Sequence, residues 1–224
     1  MVYPKICLCL TCSTIKENLQ VLEKYRKWID MAELRADFLS PDERLQIRKF
    51  PRLAGLPVIL TIRRKIDGGN FLEGEAARTV LFSRALAFAD QDISKNFAFI
   101  DLEDDFHVPG LQDAAFAFGI RIIRSFHDMK NPVKNIAKKM DQIRVTGYEI
   151  PKVACMPHSL RDVSDMFVQA ASIKYEHILC GMGPYGIPTR ILAQRLGSFL
   201  TYASPNEASE ALRVLQHLDP KTLQ

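Results

Sequence analysis

The chain has 224 residues, and 47% hydrophobic with 25% charged residues is the composition of a globular protein, which excludes a disordered chain and a collagen-like repeat. No apolar run approaches the ~18 residues of a membrane-spanning helix, and the first residues resemble no signal peptide, so we expect a cytoplasmic protein. The 30 Lys and Arg residues and the 26 Asp and Glu residues are scattered, so we expect neither nucleic acid nor a membrane as a partner.

The cysteines indicate reduced thiols rather than a disulfide framework, because their number, five, is odd and the sequence shows no secretion signal. Cys7 and Cys9 share one face of the first predicted strand, whereas Cys12 has the opposite parity. No C-x2-C partner or pair of histidines completes a tetrahedral set of ligands. We therefore expect no metal site.

Short apolar runs rich in Ile, Val, Leu and Phe recur along the chain, as is typical of buried strands. The eight runs predicted as strands are 5–12, 31–37, 57–64, 97–103, 121–128, 151–157, 177–183 and 198–204. The helices predicted from their apolar spacing include 14–28, 73–90, 133–144, 159–172 and 207–218.

Strands that alternate with helices predict parallel pairing, because a parallel neighbour needs a long crossover. Eight such units predict an α/β fold, a single-domain (β/α)8 TIM barrel that spans residues 1–224. A doubly wound open sheet is the alternative, suggested by GMGPYG at 181–186, which reads G-x-G-x-x-G between a strand and a helix. Its place in the seventh unit, and Pro184 without an N–H, argue against a phosphate-binding loop of that kind.

Charged residues interrupt the predicted strands, and they do so on one face. Glu33, Arg35 and Asp37 share a face of the second strand, as Asp101 and Glu103 do on the fourth. Each alone is consistent with a solvated strand end or an ordinary salt bridge. Because most lie toward the C-terminal ends of strands, where TIM-barrel enzymes carry their chemistry, together they predict an active site at the barrel mouth.

Lys152 is the most suggestive single residue, because it begins an otherwise apolar strand and shares parity with Ala154. Its side chain is expected to project into the barrel, where burial and nearby arginines favour the neutral amine. A neutral amine attacks carbonyl carbon, which indicates a Schiff base. An ion pair of Lys152 with Glu33 or Glu103 is the alternative interpretation.

His127 is the histidine best placed to move protons, because it ends the fifth strand beside other polar groups. The remaining histidines are interpreted as structural or surface residues. His107 and His158 fall in or near loops, His177 begins a strand, and His217 is expected on the last helix.

These residues resemble the type I 3-dehydroquinate dehydratases of the shikimate pathway, and the resemblance runs along almost the whole chain. The segments that carry it are ELRAD (33–37), TIRRKIDGG (61–69), DLE (101–103), SFHD (125–128), PKVACMP (151–157), MGPYGIPTR (182–190) and LGSFLTY (196–202).

The resemblance implies a metal-free, cofactor-free barrel that dehydrates 3-dehydroquinate to 3-dehydroshikimate, in which Lys152 forms the Schiff base and His127 is the general acid and base. It further implies that Arg190 binds the substrate carboxylate, and that Glu33, Arg35 and Arg63 hold the ring hydroxyls and the carbonyl.

Two more expectations follow from the resemblance. Asp67 corresponds to the acidic partner of the histidine and is one methylene shorter. Family members are commonly dimers, so a homodimer is possible here.

The chain departs from the family pattern after the eighth strand, where the family has a loop containing S-A-P-G-Q that closes over the substrate. The segment 201–215 is several residues shorter. When the two sequences are aligned without a gap, Ser209 stands where the family has the serine of S-A-P-G-Q. When they are aligned on the proline, Ser204 stands at the start of the motif and Glu207 replaces its glutamine. We expect an incomplete lid and weaker substrate binding.

Other functions stay open beside the dehydratase. A Schiff-base aldolase acting on a sugar phosphate would keep the barrel and the lysine. A weakly active metabolite-binding relative would fit the shortened loop, although it has no need of both Lys152 and His127. A nicotinamide-dependent oxidoreductase, suggested by GMGPYG alone, is the least favoured.

Overall fold

The structure is a computed structural model that describes residues 3–87, 90–205 and 217–223. The strands are β1 (Lys5–Leu10), β2 (Met31–Arg35), β3 (Val58–Thr61), β4 (Phe99–Glu103), β5 (Arg121–Asp128), β6 (Ile150–Cys155), β7 (Ile178–Gly181) and β8 (Leu200–Ala203). The helices are α1 (Ile15–Tyr25), α2 (Pro41–Arg44), α3 (Phe50–Ala54), α4 (Glu75–Leu86), α5 (Pro109–Ala117), α6 (Ile136–Ile143), α7 (Leu160–Ala170) and α8 (Gly183–Ile191). None of these helices is long and apolar enough to cross a bilayer.

The strands form one parallel sheet in the order β7-β6-β5-β4-β3-β2-β1-β8. The sheet closes on itself where His177, just before β7, pairs with Ser198, just before β8. The Phe199 N–H donates to the His177 carbonyl at 2.7 Å across the same junction. The predicted TIM barrel is therefore confirmed, and the doubly wound alternative is wrong.

The lower half of the barrel is filled by an apolar layer to which every strand contributes one inward side chain. Its members are Cys7, Met31, Ile59, Phe99, Ile123, Ile150, Ile178 and Leu200, all buried. Alternation along each strand then places the next inward position above this layer, nearer the C-terminal ends. Three of those upper positions carry the charged residues Glu33, Asp101 and Lys152.

The outward side chains of the strands pack against the surrounding helices in two larger apolar clusters. Leu34, Leu60 and Leu102 belong to the cluster on the α1 to α5 side. Val153 and Leu179 belong to the cluster beneath α6 and α7. Both faces of the sheet are thus covered, as a parallel sheet requires.

The buried side chain of Asn18 holds the connection between β1 and α1 in place. Thr14 and Glu17 form a capping box at the start of the helix. Asn18 is fully buried; its amide oxygen accepts from the Cys12 N–H at 3.0 Å, and its amide nitrogen donates to the carbonyls of Cys12 and Thr14. One side chain therefore satisfies three backbone groups of the β1 to α1 connection.

The predicted elements agree with the structure in the strands and less well in the helices. All eight strands are present, with ends within a few residues of those predicted. The helices α2, α3 and α5 are absent from the prediction, and the helix expected after GMGPYG is α8, which begins inside that motif at Gly183. The predicted helix 207–218 lies largely outside the described residues, and its end is wrong, because Leu218 pairs with Ala203 as an isolated bridge.

Replacing Asn18 by alanine should lower the free energy of unfolding by about 1–3 kcal/mol, because it leaves buried backbone groups without partners. Urea denaturation measures this. Gln20→Ala, at an exposed position of the same helix, is the control and should change stability by less than about 0.5 kcal/mol. Equal stability of the two variants would contradict the role given to Asn18.

Candidate active site

Lys152 lies inside the barrel, on β6, with 5% of its surface exposed. Its Nζ is 2.8 Å from Oδ2 of Asp101 on β4. The same nitrogen lies 4.4 Å from the ring centroid of Tyr202 on β8, a cation–π contact. The ion pair expected with Glu33 or Glu103 is therefore made with Asp101 instead.

Asp101 also holds Arg63, which follows β3. Arg63 Nη2 is 2.7 Å from Asp101 Oδ1, and the Ser125 hydroxyl donates to the same oxygen at 2.6 Å. Burial alone would raise the pKa of Asp101, but the charges of Arg63 and Lys152 outweigh burial and lower that pKa well below its usual value. The carboxylate therefore stays ionised between two cations.

A second carboxylate, Glu103, extends this arrangement toward the helices. Its Oε1 is 2.5 Å from Nη1 of Arg63, and its Oε2 is 2.6 Å from Nη1 of Arg78. Arg78 is fully buried on α4 and lies over the Phe106 ring, 4.1 Å from its centroid. Arg63 is thus fixed between Asp101 and Glu103 with little freedom to rotate.

Glu33 on β2 lies across the barrel and is held by neutral donors. The Thr61 hydroxyl donates to Oε1 at 2.7 Å, and the Cys9 thiol donates to Oε2 at 3.2 Å. Burial and the nearby Glu33 carboxylate raise the pKa of Cys9 well above its usual value, so the thiol remains protonated and able to donate.

Arg35, at the end of β2, forms a bidentate pair with Asp37. The Nε and Nη2 distances to the two carboxylate oxygens are 2.9 and 2.7 Å. Asp37 also accepts from the Asn70 N–H at 3.0 Å. Burial lowers the pKa of Arg35, but Asp37 outweighs it and raises the pKa above its usual value. The guanidinium is therefore a fixed cation at the mouth.

His127 lies on β5, two residues beyond Ser125, which pairs with Lys152 in the sheet register. It is half-buried, and its Nδ1 has no hydrogen-bond partner among the described residues. Burial lowers the pKa of His127 well below 6.5, and the positive charges of Arg63 and Lys152 lower it further. The ring is therefore neutral near pH 7 and able to accept a proton.

Asp67, the expected partner of His127, lies beside the same cavity but is bonded elsewhere. Its Oδ2 accepts from Arg64 Nε at 2.7 Å, and Arg64 also contacts Asp105. Burial raises the pKa of Asp67, and the hydrogen bond from Arg64 opposes that rise. Asp67 and His127 therefore form no hydrogen bond in this structure.

Arg190 reaches the cavity from α8 and is buried, with 2% of its surface exposed. Its neighbour Thr189 donates to the Gly186 carbonyl and accepts from the Gly181 N–H, which joins α8 to β7. The backbones approach so closely that a Cβ at Gly181 would lie 2.7 Å from the Gly186 Cα. Gly181 and Gly186 therefore allow the close packing of β7 against α8, the helix that carries Arg190.

All six residues predicted for the site meet in one cavity at the C-terminal end of the barrel. Its lining is Glu33, Arg35, Arg63, Asp67, Gly68, His127, Met129, Lys152, Ala154, Cys180, Met182, Arg190, Tyr202 and His217. A neutral histidine, a lysine and several fixed guanidiniums around one cavity are suited to covalent chemistry on a small anionic carbonyl compound.

Comparison with known proteins agrees with this geometry. A model of the type I 3-dehydroquinase family matches residues 6–216, nearly the whole chain. The chain belongs to the type I 3-dehydroquinase family.

Named relatives and solved structures are similar along the same length. The 3-dehydroquinate dehydratase of Methanocaldococcus jannaschii is 29% identical over 213 residues, which cover 92% of this chain and 91% of the relative. That of Thermodesulfovibrio yellowstonii is 28% identical over 199 residues, covering 87% and 84%. The Geobacillus kaustophilus enzyme structure superposes with a TM-score of 0.83 at 23% identity, covering 99% of this chain and 89% of that one.

A further structure, the type I 3-dehydroquinate dehydratase of Clostridium difficile with covalently modified comenic acid, has a TM-score of 0.81 at 20% identity. It covers 98% of this chain and 89% of that one. At such identities these structures support the shared barrel fold.

Within this type I 3-dehydroquinase, sequence reasoning misses the roles of Asp101, Tyr202 and His217. The aspartate is predicted only as part of a charged face, although its parity with Glu103 could have suggested an inward ion pair. The prediction that His217 lies on the last helix is wrong, because it is not helical, and the residue lines the cavity. No local pattern reveals this, because the contact joins segments far apart along the chain.

The shortened loop after β8 lies mostly outside the described residues. The Ser204 N–H donates to the Leu218 carbonyl at 3.0 Å, and the Ser204 side chain is buried. Glu207 and Ser209 are not described. The expectation of an incomplete lid therefore stays a prediction.

Replacing Asp101 by asparagine should destabilise the protein by about 3–5 kcal/mol at pH 7, because Arg63 and Lys152 lose their shared buried anion. The pKa of Asp101 is lowered on folding, so its contribution is fully present above the unfolded pKa of about 4 and is lost as pH falls below that value. The stability difference between wild type and variant should therefore shrink below about pH 4.

Urea titrations at several pH values test this, with Asp113→Asn at an exposed position of α5 as the control. The control should differ little from wild type at any pH. A stability difference for Asp101→Asn that grows as pH falls would contradict the assignment.

Proposed function

We propose that this chain dehydrates 3-dehydroquinate to 3-dehydroshikimate through a Schiff base on Lys152. The observation that carries the proposal is a buried primary amine that shares one cavity with His127 and Arg190 at the C-terminal end of a TIM barrel. Membership of the type I 3-dehydroquinase family supports the choice of substrate.

The first step joins the Lys152 nitrogen to the C3 carbonyl carbon of the substrate. Asp101 holds Nζ at a fixed place, and the lysine becomes a nucleophile when it gives up its extra proton. The carbonyl oxygen takes up that proton and one more from the attacking nitrogen, the C–O bond breaks, water leaves, and an iminium forms. The positive charge of the iminium withdraws electrons from the neighbouring C2–H bond and acidifies it.

His127 then moves the proton. Because its pKa is lowered, the ring is neutral at physiological pH and can remove the C2 proton as a base. The enamine expels the C1 hydroxyl, to which His127 returns the proton, so that water leaves. A second water hydrolyses the remaining imine, releases the product and restores the Lys152 amine.

The arginines and Glu33 position the ring. Arg190 is proposed to bind the carboxylate, because a planar guanidinium forms two parallel hydrogen bonds to it. Arg63, Arg35 and Glu33 are proposed to contact the ring hydroxyls and the carbonyl. Arg63 and Arg35 are already fixed by buried carboxylates, so the free protein holds them ready and little side-chain freedom is lost when substrate binds.

Borohydride reduction in the presence of 3-dehydroquinate should leave a substrate adduct on Lys152, found by intact mass and peptide mapping. Lys152→Ala should show no adduct and no turnover, because the covalent route is lost. Lys138→Ala, which removes an exposed lysine from α6, is the matched control and should react as wild type does.

Two results would refute the mechanism. Normal turnover by Lys152→Ala would exclude the Schiff base. No adduct and no product with wild type would exclude this substrate; a lysine adduct with a phosphorylated ketose, and inhibition by inorganic phosphate, would then favour the aldolase.

His127→Ala should still form the imine but turn over ~10²–10⁴-fold more slowly, the usual effect of losing a positioned acid–base group. Stopped-flow absorbance and borohydride trapping separate the two steps. His158→Gln, at an exposed histidine, is the control and should leave kcat unchanged. If His127→Ala loses both borohydride trapping and turnover, His127 acts instead in imine formation.

A further inference from the structure

His217 lines the active-site cavity although it lies beyond β8, outside every segment that carries the family resemblance. The backbone bridge between Ala203 and Leu218 brings it there. Two residues further on, Asp219 accepts a hydrogen bond from the Tyr25 hydroxyl at 3.0 Å. The chain on the far side of His217 is therefore attached to the barrel at two points.

The ring of His217 is stacked on Tyr202. The two centroids are 6.1 Å apart and the planes differ by 17°. Tyr202 also packs against Lys152, so His217 and the lysine share one aromatic neighbour. The Tyr202 hydroxyl is buried without a hydrogen-bond partner among the described residues.

The hydrogen bonding of His217 differs from that of a structural histidine. Both ring nitrogens of His177 contact backbone carbonyls, of Tyr175 and Leu196, each at 2.9 Å. The buried Nδ1 of His217 has no partner among the residues that the structure describes. A polar atom buried at a cavity wall without a protein partner is costly unless a ligand satisfies it.

The charges that act on His217 are all positive. Burial lowers its pKa well below 6.5, and Arg190, Arg35 and Lys152 lower it further. The carboxylates that line the cavity are already engaged, Glu33 by Thr61 and Asp67 by Arg64. The ring is thus a neutral hydrogen-bond donor beside cations, in a position suited to an anion.

We propose that His217 is a substrate-binding residue that donates a hydrogen bond to the carboxylate of a cyclic hydroxy acid, alongside Arg190. This inference rests on the proposed function for the identity of the acid. It assigns a binding residue to the segment after β8, where the chain departs from the family pattern. Because the reacting carbon atoms lie at Lys152 and His127, loss of His217 should weaken binding rather than slow the chemistry.

Calorimetry with a cyclohexane polyol carboxylate that lacks a ketone tests this, because such a ligand cannot form an imine. His217→Ala should raise its Kd about 10-fold or more, as expected for losing a hydrogen bond to a charged group. The primary amide of the same acid has no negative charge, so His217→Ala should raise the Kd of this amide by less than about threefold. Steady-state assays with 3-dehydroquinate should show a raised KM and a kcat within about threefold of wild type.

Three further variants separate binding from structure. His217→Phe keeps the stacking on Tyr202 without a donor and should bind the acid as weakly as His217→Ala does. His217→Gln keeps an N–H donor and should bind within about threefold of wild type. His107→Gln, at an exposed histidine, is the matched control and should bind as wild type does.

Two outcomes would overturn the inference. One is wild-type affinity for the acid in both His217→Ala and His217→Phe. The other is an equal loss of affinity for the acid and for its amide. A different result would show that the proposed function is wrong: the wild-type protein would form no borohydride adduct on Lys152.

Discussion

The carboxylate of Asp101 lies between Lys152 and Arg63 inside a closed barrel, and the geometry of the site depends on these two contacts. A buried ion loses its hydration, and only close opposite charges and hydrogen bonds offset that loss. Asp101 pairs with Lys152 from β6 and with Arg63 from the end of β3. It therefore sets the distance between these two cations, which lie on different strands. Glu103 then fixes the other side of Arg63.

Four cationic side chains line the cavity in this arrangement, namely Arg35, Arg63, Lys152 and Arg190. Arg35 and Arg63 are held by their own carboxylates, while Arg190 faces the same cavity from α8. Burial is the main cause of the lowered pKa values of His127 and His217, and the nearby charges of Lys152 and Arg35 lower both values further. Burial and the same nearby cations therefore favour the neutral form of both imidazoles, which the proposed roles of His127 as a proton acceptor and of His217 as an uncharged donor require.

The fold can be predicted because the strands carry a strong local signal, namely short β-branched runs with charges of one parity. The same parity places Glu33 and Arg35 on one face of their strand, and Lys152 toward the barrel interior, from the amino-acid sequence alone. The start of α8 inside GMGPYG cannot be predicted, since Gly183, Pro184, Gly186 and Pro188 disfavour a helix. It forms because Gly181 and Gly186 allow close backbone contact and Thr189 bonds across it. The partner of Lys152 and the position of His217 depend on contacts between distant segments, which spacing along the chain does not encode.

The bridge between Ala203 and Leu218 has a consequence for how the protein is made. During synthesis β1 leaves the ribosome before β8, and the two strands pair, so the barrel closes only after β8 has emerged. Lys152, His127 and Arg190 are translated before His217. The wall of the cavity that His217 forms is therefore added after these three residues, and Lys152 lies in an open barrel until β1 and β8 pair.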